Sequence, residues 1–136
     1  MRAEQVTPPP RGAKTVRRQL DRIVHSRAFQ HYDRLKRLLF LLVHESLLGH
    51  SEKLTEATIA SRLFDKDWSF DPQRDPIVRV HMRRLQRRLA DYYACEGATD
   101  AVLISAPDTG FVPVVTRRPA RRAQIRTIAG RGDVRR

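Results

Sequence analysis

The sequence holds one cysteine and one tryptophan, and its longest uninterrupted apolar run is the six residues Leu38 to Val43. A single thiol, Cys95, allows no intrachain disulfide and gives no sign of an oxidising compartment; it is expected to fill a helix end. Six apolar residues fall far short of the roughly 20 that a membrane-spanning helix needs. The first residues also lack the apolar stretch of a signal peptide, so a cytoplasmic protein without a membrane is expected. Glycine is sparse: Gly97 and Gly110 stand alone and only Gly130 and Gly132 lie close together, so no glycine-rich phosphate loop is present. Acid is scarce as well, with 15 Asp and Glu against 27 Lys and Arg, a net charge of +12. Such a chain repels basic partners and attracts polyanions.

What is there is distributed unevenly. Residues 1–18 carry five basic groups and one acid (+4), and residues 117–136 carry eight and one (+7), which leaves +1 for residues 19–116. Three consecutive prolines, Pro8 to Pro10, resist helix and sheet, so residues 1–18 read as a disordered basic arm. Residues 117–136 are rich in arginine and poor in aromatics, and read as a basic tail. One folded domain is expected over 19–116.

Within it, Gln19 to Ser26 suits a short helix. Phe29 to Leu48 carries Phe29, Tyr32, Leu35, Leu39, Leu42, Val43 and Ser46 at helical spacing, with Gly49 as the left-handed stop. Thr55 to Phe64 suits a helix capped by Thr55, with Ile59, Ala60, Leu63 and Phe64 inward. Asp65 to Asp75 has no sustained period and reads as a loop pinned by Trp68 and Phe70. Asp75 and Pro76 form a start signal, cap followed by first helical position, for a helix reaching Ala94. Val102 to Ala106 and Phe111 to Val115, separated by "PDTG", read as a hairpin with a four-residue connection, its second strand at an edge because Pro113 cannot donate to a ladder.

The helix from Pro76 concentrates five of the domain's arginines. Residues placed 100° apart put Val78, Met82, Leu85, Leu89 and Tyr92 in one apolar stripe. Arg79, Arg83 and Arg87 fall on the opposite side, with Val80 and Arg84 beside them and His81 and Arg88 at the margins. A merely solvated face mixes signs, because like charges four apart repel by a few tenths of a kcal/mol. This one accepts that repulsion, which a polyanion would relieve. Val80 suits contact with a thymine methyl, and arginine bridges guanine O6 and N7 as lysine cannot. An anionic membrane would instead require bulky apolar groups that the core already uses.

Residues Val78 to Leu89, "VRVHMRRLQRRL", resemble the recognition helix of OmpR-type winged-helix output domains, and Gly110 with Phe111 sits where that family's wing ends. "LLGHSEKLTEATIASRLF" and "SFDPQRDPIVRVHMRRLQRRLADYY" are also similar, in order and spacing, to bacterial winged-helix domains fused to sensor or repeat modules. The similarity spans Phe29 to Val115. It implies an α+β, mainly helical winged helix-turn-helix with a C-terminal β-hairpin wing, a double-stranded DNA-binding protein and transcriptional regulator. By position, Thr55 to Phe64 would orient the Pro76 to Ala94 helix in the major groove. Arg79, Arg83, Arg84 and Arg87 would contact phosphates and bases, with Arg84 the chosen base reader and His81 on a phosphate. Val80, Arg88, Thr55, Thr109, Arg117 and Arg118 complete the expected DNA-binding set. The loop Asp65 to Asp75 corresponds to one that can touch RNA polymerase in OmpR-type domains, and a homodimer is a further expected partner.

Catalysis finds little footing. His25, His31, His44, His50 and His81 show no ligand pair at metal-binding spacing, and the aspartates of 65–75 lack the glycine and terminal glutamate of a calcium loop. No enzymatic activity, metal or cofactor is expected. Tyr92 and Tyr93 suit either base stacking or a helix end against the core. The rival reading is an RNA-binding or nucleoid-associated protein that works mainly through its arginine-rich tails.

Overall fold

Among the described residues, apolar residues at helical spacing build four helices, and the β-branched stretch behind them builds a hairpin. The computed structural model describes residues 12–118. In order these are α1 (Ala13–Val24), α2 (Asp33–Leu47), α3 (Glu56–Phe64), α4 (Ile77–Ala94), β1 (Val102–Ser105) and β2 (Val114–Arg117), with single 3-10 turns at Arg27–Phe29 and Ser51–Lys53. The chain is therefore α+β and mostly helical.

In α1, Val16, Gln19, Leu20 and Ile23 are buried, a spacing of three, one and three that fills one helical face. The helix starts at Ala13 rather than Gln19, because Val16 seats in the core one turn ahead of Leu20. Positions 13–18 thus belong to the folded body, not to the basic arm. At the other end Arg117 is part of β2. The remainder of the two expected basic segments, 1–11 and 119–136, lies outside the described residues.

The central element is α2, with eight buried residues that include five leucines. It touches α1, α3 and α4. Its start is Asp33 rather than Phe29: Phe29, fully buried, sits in the preceding 3-10 turn, and Tyr32 is 42% exposed at the N-cap. Gly49, at φ +81°, makes the left-handed exit expected of it.

Thr55 caps α3, its Oγ1 accepting the Thr58 N–H at 3.1 Å. Ile59, Ala60 and Phe64 are buried and Leu63 is half-buried. The following loop is not pinned by Trp68, which is 94% exposed; Phe70 alone packs against the core. The Asp75 carboxylate accepts the Ile77 N–H at 3.2 Å and pairs with Lys66 at 2.9 Å, while Pro76 is the N-cap rather than the first helical residue.

The apolar stripe Val78, Met82, Leu85, Leu89 and Tyr92 is buried as its spacing requires. The Gly97 N–H donates to the Tyr92 carbonyl at 2.8 Å, and a Cβ at Gly97 would run into the Tyr92 ring. Behind this close approach comes the hairpin, antiparallel, with Val102 facing Arg117 and Ser105 facing Val114. Its connection runs over 106–113, longer than the four residues "PDTG". Pro113 is fully buried just before β2 instead of lying in an edge strand, and Phe111 and Val112 pack against the core. The ladder therefore resumes at Val114, where an N–H is again available. The Tyr93 hydroxyl accepts the Ile104 N–H and donates to the Val102 carbonyl, both at 2.9 Å, fastening β1 to α4.

Candidate nucleic-acid interface

The five arginines of α4 divide into two groups by what they already touch. Arg79 donates from Nε to Glu56 Oε2 at 3.0 Å and from its terminal nitrogen to the Pro72 carbonyl. Glu56 sits in the first turn of α3, so this pair joins the two helices. Arg88 donates to the Ala28 carbonyl at 2.9 Å and to Asp91 at 2.7 Å, with its guanidinium carbon 4.4 Å from the centre of the Tyr32 ring. Both side chains hold the fold together, and neither is free to serve a ligand without losing a protein partner.

Arg83, Arg84 and Arg87 differ. All three are exposed, and none has a hydrogen-bond or ion-pair partner among the described residues. Spacings of one, three and four gather them on one side of α4, with half-buried Val80 one turn earlier. Their local charge is +3 with no acid within the group, a field suited to an anion with repeating negative charge.

The flanks of this face are fixed by contacts of Gln86 and His81. Gln86 Nε2 donates to the Pro107 carbonyl at 2.7 Å and approaches Asp108 Oδ1 at 3.3 Å, so the hairpin connection is tied to α4 beside Arg83 and Arg87. Sequence reasoning passed over Gln86; the available signal was a lone neutral polar residue in a run of cations. Thr109 is exposed on that connection. His81 turns Nδ1 toward the Ile77 carbonyl at 2.9 Å and packs its ring 4.7 Å from that of Phe64, which leaves only Nε2 for any outside contact.

Thr55 is exposed, but its hydroxyl accepts from the Thr58 backbone and donates to the Thr58 hydroxyl at 2.9 Å. Arg117 is exposed at the end of β2. Arg118 is not available in the same sense: it donates to the Asp100 carbonyl at 2.7 Å and the Gly97 carbonyl at 3.2 Å, closing the turn between α4 and β1.

The buried titratable groups form a structural cluster. Asp100 accepts from Gln19 at 2.8 Å, from Arg22 at 3.2 Å and from the Tyr92 hydroxyl. Desolvation pushes its carboxyl up, but the hydrogen bonds from Gln19 and Tyr92 and the charges of Arg22 and Arg118 outweigh it, and the net shift is downward. Burial, reinforced by the Asp100 carboxylate, raises the Tyr92 hydroxyl, so the pair is a neutral phenol donating to a carboxylate. Tyr92 and Tyr93 are thus committed to the body, not presented for stacking. The loop aspartates also have local partners: Asp67 accepts from Ser69, Asp71 from Gln73 and Asp75 from Ile77. Among the described residues no group of three metal-ligating side chains converges, and no helix is long and apolar enough to cross a membrane.

No family model, curated protein or solved structure matches the chain.

Proposed function

We propose that this protein is a winged helix-turn-helix transcriptional regulator that binds double-stranded DNA with α4 in the major groove. The observation that carries the reading is the set of exposed arginines 83, 84 and 87 beside Val80, without partners among the described residues, on a helix whose other two arginines are spent on the fold. Five arginines on one solvated helix need no such division. On this reading Arg83 and Arg87 meet phosphates, Arg84 reads a base edge and Val80 meets a thymine methyl. The hairpin, held to α4 through Gln86, takes the part of the wing, and the basic segments beyond the described residues add sequence-independent affinity. Resemblance further assigns the 65–75 loop, on which Trp68 is exposed, to contact with RNA polymerase.

The test is selection of bound duplexes from a random pool, followed by affinity measurement on the enriched sequence. A recurrent motif is expected, and replacing Arg83, Arg84 and Arg87 together by alanine should abolish the preference. With about six to eight phosphates neutralised, the log–log salt slope should be about −5 to −7. A chain trimmed to residues 12–118 should bind more weakly yet keep the motif. Loss of essentially all binding on trimming, or a pool that never converges, would replace this reading by tail-driven binding to RNA or to bulk DNA.

A further inference from the structure

Away from α4, the outer face of α2 carries an apolar feature that the DNA reading does not use. Phe40 is 52% exposed and stacks on His44, ring centres 5.0 Å apart. Around it two hollows of about 490 and 150 Å³ share Val24, Phe40 and His44 and so form one groove between α1, α2 and α3. Leu41, Leu47 and Leu63 continue its apolar floor. Along α2 the lining positions run from Lys36 to Leu47, a length of roughly 16 Å, or three turns of a helix. No residue of α4 lines it, so the groove and the arginine face can be occupied together.

The charge around the groove selects the occupant. Its lining carries Lys36, Arg37 and Arg62, joined in the smaller part by Arg17, against Glu45 and Asp21, so it is net positive. Glu45 already accepts from Arg62 at 3.2 Å and lies 3.1 Å from His50, and Lys36 pairs with Asp33 at 3.7 Å. Arg37 is exposed and has no partner among the described residues. A second copy of this chain would set one cationic rim against another. Residues 119–136 hold six arginines and one aspartate, so they are repelled too. We propose that the groove docks an acidic amphipathic helix of another polypeptide, with apolar residues three and four apart over Phe40 and a carboxylate toward Arg37. This inference stands apart from the DNA reading.

The experiment uses the full chain and three synthetic peptides of about four turns. One has Leu and Phe at helical spacing and Glu elsewhere, one replaces every Glu by Lys, and one scrambles the acidic sequence to remove the periodicity. Fluorescence anisotropy should give a Kd on the order of micromolar for the first alone. Phe40→Ala, at a half-exposed site that leaves the core intact by circular dichroism, should weaken it roughly tenfold or more. Arg37→Glu should lose the acidic peptide and gain the lysine one, and duplex DNA should not displace it. Equal binding of the scrambled or lysine peptide to the native chain, or indifference to Phe40→Ala, would overturn the proposal. So would a Phe40-dependent dimer in sedimentation with no peptide bound, which would give the groove to a second copy.

Discussion

Arg87 and Arg88 are adjacent in sequence and opposite in employment. Arg88 meets a backbone carbonyl, a carboxylate and an aromatic ring, whereas Arg87 has no hydrogen-bond, ion-pair or ring partner among the described residues. Arg88→Ala should therefore lower unfolding free energy by about 1–3 kcal/mol in urea titration, from the lost hydrogen bond to Ala28 and the lost cation–π contact. Arg87→Ala should stay within about 0.5 kcal/mol of the native chain and, on the proposed function, reduce the steepness of the salt dependence by about one. Helical spacing could not separate the arginines this way. Arg79, Arg83 and Arg87 are equivalent by periodicity, and what removes Arg79 is Glu56, 23 residues earlier in the chain. Such a pairing exists only once α3 and α4 are packed, so no local pattern carries it. The same holds for Trp68, where an aromatic residue in a loop suggested burial and the fold leaves it in solvent.

Among the elements, α4 was the most legible, because five apolar residues at steps of four and three specify both helix and buried face. The Thr55 cap and the Gly49 exit were legible for the same kind of local reason. The hairpin was legible in kind but not in register. Its second strand starts at Val114 because Phe111, Val112 and Pro113 are drawn toward the core, a preference set by neighbours distant in sequence. At the α4 exit, Gly97 lies against the ring of Tyr92, which is held in turn by Asp100. Gly97→Ala should cost about 1–3 kcal/mol by forcing that ring aside, seen as a lowered melting temperature with little change in helical content.

For the molecule as a whole, acid is the informative perturbation. The carboxyls of Asp100, Glu45 and Asp75 are all held below their ordinary values. For Asp100 and Glu45 desolvation is outweighed by hydrogen bonds from Gln19 and Tyr92 and from Arg62 and His50, and for Asp75 the bond from Lys66 leads. A depressed folded pKa favours the native state above the unfolded pKa of about 4, and that advantage is lost as pH falls through the folded value. Urea midpoints should accordingly be level from neutrality to about pH 5 and fall below about pH 4, with a shallower fall in Asp100→Asn. The Asp100 cluster has one more consequence. Because Asp100 binds Gln19 and Arg22 of α1 while its own carbonyl takes Arg118, and because Thr15 and Val102 line a common hollow, α1 begins and β2 finishes on the same side of the body. A circularly permuted version, spliced from Arg118 to Gly12 through a short glycine-serine bridge and cut open near Trp68, should refold to a cooperative unit with unaltered far-ultraviolet dichroism.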